Sequence, residues 1–302
     1  AFDEGYFRPD YITMEKGGVN GLSTLPKTRE ELSKLASDCK TSPEAVNVEN
    51  LLSTRIWRAI AHYAGSALLK LLFHNFQTHR PQSASRELWG YFWRIVSRPK
   101  RVKRSIQELN RIYQANVPYF LFPLQLDSDS QVRRYSPFSG MKEAIACVLT
   151  SFAESAPAET HIIIRNHPLD NGLINYACFI NSFAKACGIE ERIHFVENGR
   201  PQQMINESLG VVVLNSTMGI SALYQGLPVY CVGTSVYAMA GLAVCDKEMP
   251  LSDFWATPRR PELEALEDFE LVLKSKALIN GNFYTNSGVK LAINNAIKIL
   301  RY

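Results

Sequence analysis

The stretch His161–Gly233 decides the fold. It contains the runs HIIIRNHPLD (161–170), IHFVEN (193–198), LGVVVLNSTMGIS (209–221) and LPVYCVG (227–233). Each holds a short block of Ile, Val or Leu bounded by polar, Gly or Pro residues, which is how a buried strand reads. The segments between them, 172–187 (followed by Gly188), 201–207 and 217–226, carry helical spacing. Strands alternating with helices imply an α/β fold with a doubly wound, Rossmann-like parallel sheet. Such a sheet receives its ligand in the crevice beyond the carboxyl ends of its strands. Two polar motifs fall at those ends: Arg165-Asn166-His167-Pro168 and Asn215-Ser216-Thr217.

Working outward, the same pattern starts at Val117. PYFLFPLQL predicts a strand over 118–126, followed by Asp127-Ser128-Asp129-Ser130-Gln131 and a helix over 138–154 closed by Pro157. The remaining strands are placed at 161–166, 192–197, 209–215 and 228–233, with tail helices near 261–279 and 288–301. Residues 117–302 therefore form the expected nucleotide-donor domain with C-terminal helices. Residues 1–116 form an acceptor-side region: a loop-rich start over 1–40, then a helical block over 44–116 punctuated by Pro81 and Pro99. A helix over about 85–96 is expected to stop at Pro99, with a third helix, KRSIQELNRIYQAN, beyond it. Trp57, Trp89, Phe92 and Trp93 lie in this block. Arg94, Arg98, Lys100, Arg101, Lys103 and Arg104 form a basic run with no acid between them. Aromatics beside clustered cations suit an anionic membrane surface, and a solvated basic face over core aromatics is the other reading.

Composition sets the outer limits. With 302 residues, 46% hydrophobic and 21% charged, the chain is globular and long enough for two domains. A net charge of +4 is too small to argue for nucleic acid, and no nucleic-acid-binding signature is present. No apolar run reaches the roughly 18 residues that span a bilayer. The chain opens AFDEGYFRPD, which reads as the middle of a domain. Cys39, Cys147, Cys178, Cys187, Cys231 and Cys245 form no C-x-x-C pair and are expected to be buried free thiols of a reducing compartment.

Several groups suit chemistry. Pro168 keeps His167 extended at its strand tip, where an imidazole can donate to a phosphate beside Arg165 and Asn166. Ser216 and Thr217 stand where a helix start favours an anion, although an ordinary cap needs the same residues. Gly219 allows a close approach. Asp3-Glu4-Gly5 reads as a strand turning into a loop, a place from which a catalytic base can be reached. Asp127-Ser128-Asp129 has the spacing of a divalent-metal site, but a nucleophilic or orienting acid at a sugar centre fits equally well. No phosphate-binding G-x-x-x-x-G-K or dinucleotide-binding G-x-G-x-x-G occurs.

Taken together, FDEGYFRPDYITMEKGGVNG, LQLDSDSQVR, RNHPLD and NSTMGISALYQGLPVYCVG resemble the capsule polysaccharide biosynthesis and export family. More closely they resemble its KpsS-type β-Kdo glycosyltransferases. The acidic motif and the His-Pro pair are also similar to bacterial sialyltransferases. The resemblance implies a GT-B-like fold of two Rossmann-like domains with a helical insertion, the N-terminal one incomplete because family members carry a further segment before the acidic motif. It implies a retaining transferase moving Kdo from CMP-β-Kdo to a phosphatidylglycerol-type lipid, with no metal and no other cofactor. The implied partners are CMP-Kdo, an anionic lipid acceptor, the membrane surface and other capsule assembly proteins. The implied location is peripheral, on the cytoplasmic face of the inner membrane. Carried over, His167 and Pro168 contact CMP, and Ser216 and Thr217 hold the donor phosphate. Glu4, with Asp3 beside it, fills the acid/base motif. Asp129 is the nucleophile candidate and Asp127 the fallback. A transferase using CMP-sialic acid or a UDP-sugar, or a non-catalytic export component, are the alternatives.

Overall fold

The computed structural model describes residues 1–40, 45–48, 84–133 and 136–300, with isolated positions between 49 and 83. Trp57 and the break at Pro81 lie outside the described residues. Two compact units emerge. The first comprises Ala1–Pro26, Glu30–Trp89 and Glu267–Tyr302, and the second Lys27–Arg29 with Gly90–Leu266. Residues 267–302 group with the first unit and residues 90–116 with the second.

In the first unit, β1 (Phe2–Glu4) and β2 (Tyr11–Met14) form an antiparallel pair, and β9 (Leu278–Asn280) adds to the other edge of β2. Ile12, Ile279 and Ala292 pack together beneath this sheet, Ala292 coming from the C-terminal helix Asn286–Leu300. The expected helix over 261–279 therefore ends early, at Lys276, because its last residues are claimed by β2. β1 ends at Glu4 as expected. Gly5 is required there, since a Cβ would stand 2.1 Å from the Tyr11 carbonyl oxygen.

The second unit holds a six-stranded parallel sheet. Its strands are β3 (Tyr119–Pro123), β4 (His161–Arg165), β5 (Ile193–Val196), β6 (Gly210–Val213), β7 (Val229–Cys231) and β8 (Val244–Cys245), in the order β5-β4-β3-β6-β7-β8. The five expected strands are all present, each slightly shorter than the apolar run that announces it. Two-residue β8 was not expected. Chain order runs outward from β3 to β5, then returns to the other side of β3 with β6. The switch point of the sheet thus lies between β3 and β6, where ligands of open α/β sheets bind.

Helices occur in both units. They are, in chain order, α1 (Arg29–Ser37), α2 (Ala84–Gln114), α3 (Ser130–Arg133), α4 (Met141–Ser155), α5 (Tyr176–Cys187), α6 (Pro201–Asn206), α7 (Met218–Leu223), α8 (Leu251–Phe254), α9 (Leu263–Lys276) and α10 (Asn286–Leu300). One face of the sheet, with Phe120, Phe122, Ile162, Ile164, Val212 and Tyr230, packs on Ile145, Leu149 and Phe152 of α4 and Ile180 of α5. Trp255 closes this core edge-to-face against Phe120 and Phe152 and donates from its Nε1 to Ser151 Oγ at 2.9 Å. Strands buried on both faces explain why the sequence shows unbroken apolar runs rather than alternation.

Two expectations are corrected. Pro99 does not break the helix: α2 runs through it for 31 residues. A proline removes one backbone bond, to the Ile95 carbonyl, and crowds the preceding turn; side chains bond two neighbouring carbonyls of that turn. Ser97 Oγ donates to the Trp93 carbonyl at 2.6 Å, and Arg101 Nη2 donates to the Arg94 carbonyl. Arg94 and Arg101, on either side of Pro99, both grip Glu197. The cysteines are all free as expected, but only Cys231 is buried; Cys147, Cys178 and Cys187 are exposed. They lie on the outer faces of α4 and α5, where the apolar environment inferred for them stops.

At the amino ends of the strands, His161 and His194 stack, with Nδ1 of His161 2.7 Å from Nε2 of His194. Nδ1 of His194 lies 2.6 Å from Glu108 Oε1 on α2. Burial lowers the pKa of both rings, although Glu108 opposes the shift at His194; Arg111, Arg192 and Glu191 are the other charges in range. Rings held neutral in the fold take up protons more readily once unfolded. Stability is therefore complete above the ordinary histidine value of 6.5 and is lost as pH falls through and below it. Thermal melts should show a midpoint several degrees lower at pH 5.5 than at pH 7.5. The drop should be smaller in His161→Gln. Equal drops in both proteins would assign the acid sensitivity elsewhere.

Candidate functional site

The tips of β3, β4 and β6 and the loops after them carry Asp127, Asp129, Arg165, His167, Ser216 and Thr217. Adjacent strands lie about 4.8 Å apart, so the tips of β4 and β6, on either side of β3, are about 10 Å apart. That is a distance a nucleoside monophosphate can bridge.

Arg165 is the last residue of β4. Its buried Nε has no hydrogen-bond partner, and its guanidinium forms no ion pair among the described residues. Burial lowers its pKa from the ordinary arginine value, with no nearby carboxylate to oppose the shift. Arginine stays protonated even so. A half-buried positive charge without a counter-charge thus stands at the edge of the crevice.

His167 follows two residues later. Its Nδ1 accepts the Leu169 backbone N–H at 3.1 Å, which places the proton of the neutral ring on Nε2. Its own backbone N–H donates to Asn166 Oδ1 at 2.8 Å. Pro168 is exposed at the turn, and Asp170 N–H closes that turn on the His167 carbonyl at 3.0 Å.

At the tip of β6, Asn215 is buried and committed to the protein. Its backbone N–H donates to Gln125 Oε1 at 3.2 Å, its Oδ1 accepts from Gln125 Nε2 at 2.9 Å, and its Nδ2 donates to the Gln131 carbonyl at 2.9 Å. These bonds tie the tips of β3 and β6 together next to Ser216. Ser216 and Thr217 are half-exposed. Ser216 Oγ accepts from the Met218 N–H at 3.2 Å, and the Ser216 carbonyl accepts from Tyr237 Oη at 2.5 Å. Helix α7 has only 6 residues rather than the ten expected over 217–226, so its dipole is small. Gly219 does permit a close approach, but to an internal side chain: a Cβ there would stand 2.5 Å from Tyr237 Oη.

Both acids after β3 are half-buried. Asp129 Oδ1 accepts the Gln131 N–H at 2.9 Å, and the Asp129 carbonyl accepts from Val132 and Arg133, so this residue starts α3. Asp127 Oδ1 accepts the Met141 N–H at 2.9 Å, at the head of the 15-residue α4. A carboxylate there is stabilised by the helix start.

Two residues were not singled out from the sequence. Gln125 is legible only through its partner Asn215. Tyr176, the first residue of α5, is 2% exposed, and its hydroxyl has no hydrogen-bond partner among the described residues. Burial, then the charges of Asp127 and Asp170, raise its pKa and keep it protonated. An isolated Tyr at a helix start carries no sequence signal.

Asp3 and Glu4 belong to the first unit. Glu4 pairs with Arg8, and Asp3 Oδ1 accepts the Glu4 N–H at 2.7 Å. The loop behind them is fixed by a buried carboxylate, Glu15, which accepts from Tyr6 Oη at 2.9 Å and from Ser23 Oγ.

Comparison with known proteins matches this arrangement to a family. The model of the capsule polysaccharide biosynthesis protein family matches residues 1–284. The chain is 33% identical over 291 residues to the capsule polysaccharide modification protein LipB of Neisseria meningitidis serogroup B, covering 94% of this chain and 68% of LipB. It is 31% identical to the capsule polysaccharide export protein KpsS of Escherichia coli, covering 94% of this chain and 72% of KpsS. Among solved structures, the KpsC β-Kdo 2,7 transferase of Thermosulfurimonas dismutans aligns over 99% of this chain and 76% of its own, at 16% identity and a TM-score of 0.45. The chain belongs to the capsule polysaccharide biosynthesis protein family.

Proposed function

We propose that this chain transfers a sugar acid, Kdo, from a CMP-activated donor to a phosphatidylglycerol-type lipid acceptor. The observation that carries the reading is Arg165, a half-buried cation with no counter-charge among the described residues, at the tip of β4. An anionic donor supplies the missing charge. Ser216 and Thr217 receive the donor phosphate from the side of β6. His167, with its proton on Nε2, donates to the same leaving group. LipB and KpsS are named for capsule polysaccharide modification and export, which agrees with a capsule-building step.

Of the two acids, Asp127 is the better nucleophile candidate, reversing the order read from the sequence. Each acid has its Oδ1 on a backbone N–H at a helix start, but Asp127 stands nearer the end of β3, beside the switch point. In the proposed first step, the Asp127 carboxylate attacks the anomeric carbon as its bond to the phosphate oxygen breaks. CMP departs with that bonding pair, and a glycosyl-enzyme ester remains. In the second step, a hydroxyl of the acceptor loses its proton to water and attacks the same carbon. The ester bond breaks and Asp127 returns as a carboxylate. Two inversions retain the anomeric configuration.

The outer face of α2 supports an acceptor held in a membrane. Phe92, Trp93, Ile95 and Val96 are all more than half exposed, and Arg98, Lys100, Lys103 and Arg104 follow, exposed and without acid partners among the described residues. Arg94 and Arg101 turn inward and are not part of this face. Among the described residues no helix is long and apolar enough to cross a membrane, so the helix is proposed to lie on the surface. Co-sedimentation with phosphatidylglycerol vesicles should be salt-sensitive. It should weaken about 100-fold or more when Arg98, Lys100, Lys103 and Arg104 are all replaced by Gln. Unchanged binding by that variant would count against this face.

The function itself is tested by incubating the protein with CMP-Kdo and dispersed phosphatidylglycerol and following products by mass spectrometry. A Kdo-modified lipid is expected. Product formed only from CMP-sialic acid or a UDP-sugar would replace the donor, and none from any donor would favour a non-catalytic export role.

A further inference from the structure

Behind His167 lies a sealed ionic cluster that the proposed transfer chemistry does not use. It is built from two arginines of α2, two carboxylates and one amide. Asn166, 3% exposed, accepts the His167 backbone N–H and donates through Nδ2 to Asp170 Oδ2 at 3.1 Å and Glu197 Oε1 at 3.3 Å. Asp170 returns to the loop twice: its backbone N–H donates to the His167 carbonyl, and its Oδ2 accepts the Gly172 N–H at 3.1 Å. Arg94 Nη1 pairs with Glu197 Oε1 and lies 3.7 Å from Asp170 Oδ2. Arg101 Nη1 holds Glu197 Oε2 at 3.1 Å. The Glu197 backbone N–H donates to Ser105 Oγ at 2.9 Å, on the next turn of α2. The side chains of Arg94, Asp170 and Glu197 are only 15%, 11% and 15% exposed.

Such a cluster is an expensive way to attach a helix. Desolvating several charges costs more than burying apolar groups of similar size, so buried ion networks are a poor source of stability. Further along, α2 packs through buried Leu109 and Ile112, with Glu108 reaching His194 at the amino end of β5. The linked network of Arg94, Arg101, Asp170 and Glu197 is confined to the carboxyl tips of β4 and β5, next to His167 in the chain. The backbone is fixed on both sides of His167: Asn166 holds its N–H, and Asp170 holds its carbonyl. Asp170 does so through its backbone N–H, while its carboxylate meets Asn166 and Arg94, and the Asn166 amide also bonds Glu197.

We propose that Arg94 and Glu197 are positioning residues for His167, acting through Asn166 and Asp170 to hold the imidazole toward the donor crevice. This inference rests on the donor reading above for its functional consequence, but not for its structural content. It also assigns a second role to α2: the helix whose outer face is proposed to meet the bilayer grips the donor loop with its inner face.

Glu197→Gln tests it, because the amide keeps the shape and removes the charge. Three measurements are made on the wild type, Glu197→Gln, His167→Ala and the double variant. By calorimetry, Glu197→Gln should weaken CMP binding about 10-fold, as loss of an outer-shell partner does. In the His167→Ala background the same change should alter affinity less than about 2-fold, because the group being positioned is gone. In the unliganded protein, the nitrogen resonances of the His167 ring should shift in Glu197→Gln. Melting temperature is the control, since a purely structural role would lower it equally in both backgrounds and leave the His167 ring resonances where they are. An equal loss of CMP affinity in both backgrounds, or unmoved ring resonances, overturns the proposal. If the wild type fails to bind CMP, the donor reading falls, and the ring resonances still decide the positioning claim. Should Glu197→Gln not fold, Arg94→Lys, which keeps the charge and loses the fork, is read in the same way.

Discussion

Asp127→Asn is expected to lower sugar transfer by about 10³-fold or more while the protein stays folded. The fold survives because the amide oxygen can still accept the Met141 N–H that Asp127 accepts now. What disappears is the charge that attacks the anomeric carbon. Asp129→Asn is the matched control. Asn starts a short helix as well as Asp does, so α3 should persist and activity should change little. Steady-state rates for the two variants, with intact mass spectrometry to catch a glycosylated wild-type protein, separate the candidates. Full activity in Asp127→Asn with loss in Asp129→Asn would restore the order read from the sequence.

Arg165→Gln carries the second large effect, and it should divide function from stability. A buried cation without a counter-charge is costly to the folded protein, and the Arg165 Nε has no partner to offset that cost. Removing the charge should leave the melting temperature unchanged or higher. Donor affinity should fall about 10²–10³-fold, the scale on which one charged contact to a phosphate acts. The opposite pattern, a lower melting temperature with donor affinity intact, would make Arg165 a structural residue whose partner lies elsewhere.

The parallel sheet was legible because its strands are buried on both faces. Phe120–Phe122, Ile162–Ile164 and Val211–Val213 are fully buried, so each appears as an unbroken apolar run that only a covered strand tolerates. The strand-tip motifs were legible for the same reason, since polar residues directly after such runs mark the ends of strands. The antiparallel sheet of the first unit was less so. β9 is three residues long and follows a helix with no break signal, and its existence depends on pairing with β2 at the other end of the chain. α2 ran through Pro99 because tertiary contacts from Arg94 and Arg101 to Glu197 outweighed the local cost of the proline. Those same contacts divide the basic run into inward and outward residues, which helical spacing could have suggested but charge count could not. Asn215 pairs with Gln125, ninety positions away in the chain, so its commitment to the interior had no local signature.

The most direct test of the central claim is calorimetric titration of CMP into the wild type and Arg165→Gln, with UDP as the comparison ligand. A donor phosphate seated on the tips of β4 and β6 predicts saturable CMP binding to the wild type, weaker UDP binding, and at least a 100-fold loss of CMP affinity in Arg165→Gln. Equal CMP affinity in the two proteins, or a wild type that binds UDP and not CMP, would contradict it.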